Sequence, residues 1–241
     1  MLFKAPSYYC LMPLAFIGTW ICLFRDLSDH LGVAFGLLSL YFVVKKRFWA
    51  FALMGTAAML TKETVIFILL GGAFSIGLSA LRQKQYERIM LLSFPFLAYL
   101  GWSTFLGWHT PSDGTLLKHF DWPFAGIAQG YIKALPLPLF WLGTFVPIAL
   151  ISLEGLLELW KTRLRSLFQP VTLIFLFNLV FVLLLSKAIY EDPFSFARNM
   201  LPLQYAAMLL LIQQKQGVSW FTIVVSAGTA TLFYFASILN L

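Results

Sequence analysis

Long apolar runs separated by short polar stretches make up nearly the whole chain. A helix that crosses a bilayer needs about 20 apolar residues, with about 17 to 25 as the working range. On that rule the runs predict helical spans near 8–24, 31–44, 48–60, 65–81, 89–108, 137–158, 170–186, 199–212 and 218–239. Several are shorter than the range. The polar stretches between them alternate in character. Lys45-Lys46-Arg47, then Arg82, Lys84 and Arg88, then Lys161, Arg163 and Arg165, then Lys215, together with Lys4, form a basic set. The intervening stretches are Arg25 to His30, Lys62-Glu63, 109–136 and 187–198, and they hold seven of the ten acidic residues and all three histidines. Short basic loops stay on the cytoplasmic side. An all-α, polytopic integral membrane protein with about nine transmembrane helices satisfies every loop, with the N-terminus cytoplasmic and the C-terminus external. The expected organisation is a single transmembrane domain over 1–241 with an external loop at 109–136.

One run carries charge in its middle. Residues 48–81 would form one continuous apolar helix were it not for Met59-Leu60-Thr61-Lys62-Glu63-Thr64-Val65. A charge at the bilayer centre costs about 3 kcal/mol on insertion scales. A single helix of 34 residues would measure about 51 Å, against an apolar core of about 30 Å, and would put the basic stretches at 45–47 and 82–88 on opposite faces. Two short helices joined by an external tip at Lys62-Glu63 resolve both conflicts. At about 20 and 25 Å these helices barely reach across, which places the tip in a protein-lined recess near the surface.

Composition agrees with the pattern. Of 241 residues 60% are hydrophobic and 11% charged, and the mean hydropathy is +0.83, well outside the soluble class, where about a quarter of residues are charged. Trp and Tyr often lie beside predicted span ends, as interfacial belts require. The formal charge of +7 is accounted for by basic loops, so nucleic acid is not an expected partner; membrane lipids are. Cys10 and Cys22 lie twelve residues apart on one predicted helix, about 18 Å along its axis, too far to bridge. The N-terminal run has no small-residue cleavage site and reads as an uncleaved span. The chain shows no internal repeat.

The candidate chemistry gathers on the external side. In Arg25-Asp26-Leu27-Ser28-Asp29-His30, Ser28 can cap a helix and Asp29 can serve its first turn, or Asp26, Asp29 and His30 can contact a substrate. In Thr61-Lys62-Glu63-Thr64, Thr61 can be the N-cap and Glu63 a first-turn acid, which leaves Lys62 at an unfavourable positive helix end; a cation beside an acid also suits a phosphate or a hydroxyl. Arg198, at the mouth of a late span, can hold a phosphate bidentately or snorkel to headgroups. His109, Asp113, His119 and Asp121 lack tight metal-ligand spacing, so no metal ligand set is assigned, although a divalent metal is compatible with them. No GxxxxGK[ST] or GxGxxG is present, which disfavours a soluble nucleotide donor.

RDLSDH, the tip Leu-Thr-Lys-Glu-Thr over 60–64 and Ala-Arg-Asn-Met-Leu-Pro-Leu over 197–203 together resemble bacterial polytopic glycosyltransferases of the GT-C superfamily, and the tip resembles the L-T-R-E-T of a group linked to cell-surface glycopolymer formation. The resemblance is strongest over 25–81. It implies a GT-C-like bundle in the bacterial cytoplasmic membrane and transfer of a sugar from a polyprenyl-phosphate donor to a glycan, lipid or protein acceptor. Lys62 and Arg198 would hold the lipid phosphate, with Asp26 and His30 also at the substrate, while Asp29 and Glu63 would be the catalytic carboxylates. In that superfamily the first span leads into a substantial external loop bearing an essential acid. Here the first loop is only RDLSDH: either Asp26 or Asp29 fills that role, or, as the likeness of RDLSDH to a later motif of the family favours, the chain is an N-terminally shortened member that does not catalyse alone. The alternative expectation is a non-catalytic membrane protein: a lipid-linked glycan transporter subunit or an assembly partner.

Overall fold

The computed structural model describes residues 13–14, 16, 19–20, 27–109, 122–126, 138–161, 168–191, 193–214 and 218–238. Within them the fold is helical, with no strand. The helices are α1 (Leu27–Val44), α2 (Phe48–Thr61), α3 (Ile66–Arg82), α4 (Tyr86–His109), α5 (Pro138–Lys161), α6 (Pro170–Leu184), α7 (Lys187–Glu191), α8 (Pro193–Asn199), α9 (Leu201–Gln213) and α10 (Trp220–Ile238). Eight of these match predicted runs to within about a helical turn. Most of the predicted span 8–24 and most of the loop 109–136 lie outside the described residues.

The apolar run 48–81 is broken where its charges stand. Lys62 leaves the helix with an extended backbone (φ −154°, ψ 121°), and Glu63–Val65 make one 3₁₀ turn that leads into α3. Thr61 does not cap the second helix. The chain stays helical through Thr61, whose hydroxyl donates to the Ala57 carbonyl at 2.7 Å, so the cap position falls to Lys62. Lys62 thereby closes the C-terminus of α2, the negative end of a helix dipole, which removes the conflict expected from the sequence. Ser28 is likewise not an N-cap: α1 already begins at Leu27, which puts Ser28 inside the first turn with Asp29.

The other ends of these helices close alike. After α1, Arg47 N–H donates to Phe42 O (2.9 Å) and Lys46 N–H to Val43 O (3.0 Å); after α3, Gln85 N–H donates to Ala80 O (2.9 Å) and Lys84 N–H to Leu81 O (3.1 Å). This Schellman pattern needs one left-handed residue, normally glycine. Here it is a lysine both times, Lys46 at φ 58° and Lys84 at φ 54°, at a cost of about 1 kcal/mol each.

Close contacts set the helix directions. α2 runs antiparallel to α1: Ser39 Oγ donates to Phe51 O at 3.2 Å, and Gly32 faces Lys62. α3 runs parallel to α1, with Gly36 against Val65 and Ile68 and Gly72 against Leu40. α4 runs parallel to α2, with Arg88 over the Phe48 ring and Pro95 seated on Gly55. α6 is antiparallel to α3: the Phe67 and Phe181 rings stack at 4.4 Å, and Ser75 Oγ donates to Phe168 O. α9 returns along α6, with Gln213 Nε2 donating to Gln169 Oε1 at 2.6 Å, and α5 packs along α9, with α10 going back up along α5. At its start Glu154 of α5 accepts from Ser219 Oγ, Ser219 N–H (3.2 Å) and Thr222 Oγ1 (2.5 Å), an anion satisfying a helix N-terminus.

The bundle therefore has two distinct ends. One carries Lys45, Lys46, Arg47, Arg82, Lys84 and Lys161; the other carries Asp29, Lys62, Glu63 and Arg198. Among the described residues two helices are long and apolar enough to cross a membrane, Glu63–Arg82 and Tyr86–Trp108, and Ser28–Val44, Phe48–Thr61, Pro170–Leu184 and Trp220–Thr231 are shorter apolar helices. The α4 segment is not a soluble core helix, since Met90, Phe94, Leu97, Leu100 and Phe105 are all exposed along it. Exposed Trp49, Tyr86, Trp160 and Trp220 ring the basic end, and Trp108 and Trp122 the other.

Candidate functional site

Three segments distant in sequence meet at Asp29. The residue lies in the first turn of α1, where a carboxylate is favoured by the helix dipole, and its side chain is only 6% exposed. Lys62 Nζ approaches one carboxylate oxygen at 2.9 Å, and Arg198 Nε approaches the other at 3.6 Å. Both cations remain about a quarter exposed. One buried carboxylate is thus shared between the α2–α3 tip and the last turn of α8. Two partly exposed cations share it, with the charge of Glu63 also acting on Lys62.

The approach of Lys62 to Asp29 depends on Gly32. A Cβ at Gly32 would stand 2.8 Å from Lys62 Cβ, and one at Gly36 would stand 2.6 Å from Val65 Cγ1. Asp29, Gly32 and Gly36 share one helix face by their spacing of three and four residues, so the acid and the notch that admits its partner are built into the same stripe. The pattern Gly32-x-x-x-Gly36 is a small-residue packing signal that lay in plain view in the sequence. Gly32→Ala is expected to lift the tip and cost about 1–3 kcal/mol, read as a lower unfolding temperature of the detergent-solubilised protein.

Arg198 is placed by a second set of contacts. The stretch 187–198, expected to be loop, instead folds as α7 and α8. Leu185 is extended (ψ 139°) and ends α6; Tyr190 is buried and donates its hydroxyl to Val182 O at 2.6 Å, and its ring packs 5.2 Å from Phe196. Asn199 Nδ2 donates to Ser195 O at 2.8 Å. The described part of the long connection docks here too: Phe124 N–H donates to Leu183 O at 3.0 Å, and Gly126 lies against Tyr190 and Ser186.

The remaining predicted residues fall apart from this contact. Glu63 is exposed at the tip. His30 Nε2 lies 2.8 Å from the Thr19 carbonyl; a carbonyl only accepts, so that nitrogen carries the proton. Asp26, Asp113, His119 and Asp121 lie outside the described residues, as does the side chain of His109, and among the described residues no three acidic, histidine or cysteine side chains gather as metal ligands.

Burial lowers the affinity of the Lys62 ammonium for its proton, but the Asp29 hydrogen bond and charge, with Glu63 nearby, outweigh it and raise the pKa above the ordinary 10.5. A raised cation contributes stability that is complete below its unfolded pKa and is lost as pH climbs through the folded one. Thermal stability is therefore expected to drop more steeply above about pH 10.5 in the wild type than in Lys62→Met.

Beside the tip, Leu60 of α2 and Ala98, Gly101, Trp102 and Phe105 of α4 line an apolar recess of about 440 Å³. An apolar surface thus reaches Leu60, two residues before the partly exposed Lys62. Comparison with family models, with curated proteins and with solved structures finds no match to this chain.

Proposed function

We propose that this chain is a GT-C-like membrane glycosyltransferase that takes a sugar from a polyprenyl-phosphate donor at the external face of the bacterial cytoplasmic membrane. It crosses that membrane about nine times, with the N-terminus and the basic end cytoplasmic and the C-terminus external. The observation that carries the proposal is the convergence of Lys62 and Arg198 on Asp29. Held from behind by one carboxylate, the two cations remain partly exposed and offer N–H donors of the kind a lipid phosphate accepts from. The apolar recess beside Leu60 and Trp102 offers a surface for the first isoprene units. Asp29, engaged by both cations, serves to position them; exposed Glu63 is the better placed carboxylate to accept the acceptor's proton in a direct displacement.

Glu63→Gln and Arg198→Ala are each expected to abolish a surface glycan while protein level stays intact; full glycan with both changes would refute catalysis at this site. Sidedness is tested by cysteine substitution at Ser112 and Ser166. An impermeant reagent added outside should modify position 112, and preferential labelling at 166 would invert the topology.

The second reading is a non-catalytic partner subunit or transporter component. The doubly paired Asp29 favours it, because an ion cluster that joins α1, α2 and α8 is also a structural lock. In that case Glu63→Gln leaves the glycan unchanged, whereas Asp29→Ala removes it together with the folded protein.

A further inference from the structure

The basic end of the bundle holds a feature that loop charge alone does not explain. Its two turns, α1 to α2 and α3 to α4, are closed by the same pair of hydrogen bonds, and each places a lysine, Lys46 or Lys84, in the left-handed position that glycine fills without strain. Retention of cytoplasmic loops requires basic residues in the loop and is indifferent to which position holds them. Two strained lysines at equivalent positions indicate that the charge is needed at those places.

The turns are also neighbours. The Arg88 guanidinium, in the first turn of α4, lies 5.2 Å from the centre of the Phe48 ring, which opens α2. The contact brings Lys45, Lys46 and Arg47 alongside Arg82, Lys84 and Arg88, with Glu87 as the single acid of the two turns. Lys45, Lys46, Arg47, Arg82 and Lys84 are exposed. Trp49 and Tyr86, 65% and 69% exposed, stand immediately after the two turns, where amphipathic rings mark the depth of lipid headgroups.

We infer that the two turns together form a binding site for the headgroups of anionic phospholipids, with Lys46 and Lys84 holding phosphodiester oxygens. The inference rests on the membrane orientation proposed above and is independent of the glycosyltransferase activity. The anionic surface supplies the complementary charge, and the flanking rings fix the depth at which the lysines meet it.

The left-handed backbone supplies a clean test, because Lys46→Gly and Lys84→Gly remove the charge while relieving strain. The protein is reconstituted in vesicles of phosphatidylcholine alone and of phosphatidylcholine mixed with phosphatidylglycerol. Phosphatidylglycerol should raise the unfolding temperature of the wild type, and native mass spectrometry should find it retained. The double glycine variant should be at least as stable as the wild type in phosphatidylcholine, yet retain about tenfold less phosphatidylglycerol. Equal retention by variant and wild type would overturn the inference, as would an equal thermal shift from inorganic phosphate in phosphatidylcholine vesicles. A protein kept in membranes through alkaline extraction that shows no preference for phosphatidylglycerol sinks this inference alone. Release by alkaline extraction would overturn the membrane placement and the inference with it.

Discussion

Asp29→Ala is expected to destabilise the protein by about 3 kcal/mol, at the lower end of what breaking a buried ion pair costs. The substitution leaves Lys62 and Arg198, which approach the carboxylate at 2.9 and 3.6 Å, facing one another without an anion between them. Lys62→Met should cost less, about 1 kcal/mol, because Arg198 still pairs with the buried carboxylate and the lysine was partly hydrated. Replacing all three together, as Asp29→Ala, Lys62→Met and Arg198→Met, should recover most of the loss, since an apolar cluster carries no unpaired charge. Unfolding of the detergent-solubilised variants checks the order. Recovery of stability without recovery of a surface glycan would separate the cluster's structural contribution from its chemistry.

The second large effect is expected far from the charges. Gly71 of α3 meets the α6 backbone itself: a Cβ there would fall 2.5 Å from Ile174 N and 2.6 Å from its Cα. A flexible side chain can move aside, but two helix backbones can only separate. Gly71→Val should therefore push α3 from α6, open the Phe67–Phe181 stack and cost about 3 kcal/mol or more. Since α6 leads into the α7–α8 segment that carries Arg198, the same change should also weaken the Asp29 cluster. The check is whether Asp29→Ala costs less in the Gly71→Val background than in the wild type.

The helices were legible because nearly every residue of this chain is either in an apolar run or in a short polar break. Charge alternation went further and separated α2 from α3 at Lys62, where the backbone does turn extended. The caps were not legible: Ser28 and Thr61 are good cap residues by type, but the helix starts lie two residues and one residue from where they would be needed, and type alone does not fix register. Nor were α7 and α8 legible in 187–198. Helices of 5 and 7 residues have little intrinsic stability, and what holds them is tertiary, above all the buried Tyr190 hydroxyl on Val182 O.

The candidate site was legible as residues and not as pairs. Asp29, Lys62 and Arg198 stood out in three separate motifs because charge is costly amid apolar sequence. Their meeting depends on helix directions and on the Gly32 notch, which only the packed bundle reveals. The pairing also changes the assignment within the site. The resemblance implies both Asp29 and Glu63 as catalytic carboxylates; Asp29 is engaged by two cations, and on the function proposed above the exposed Glu63 is the candidate base.

The most direct test of this arrangement is a double-mutant cycle between Asp29→Asn and Arg198→Gln, read by unfolding stability. The two residues are distant in sequence and meet at 3.6 Å. Direct contact predicts a coupling of about 1 kcal/mol or more. Additivity within about 0.3–0.5 kcal/mol would mean that α8 does not reach α1, and the shared-carboxylate site would not exist.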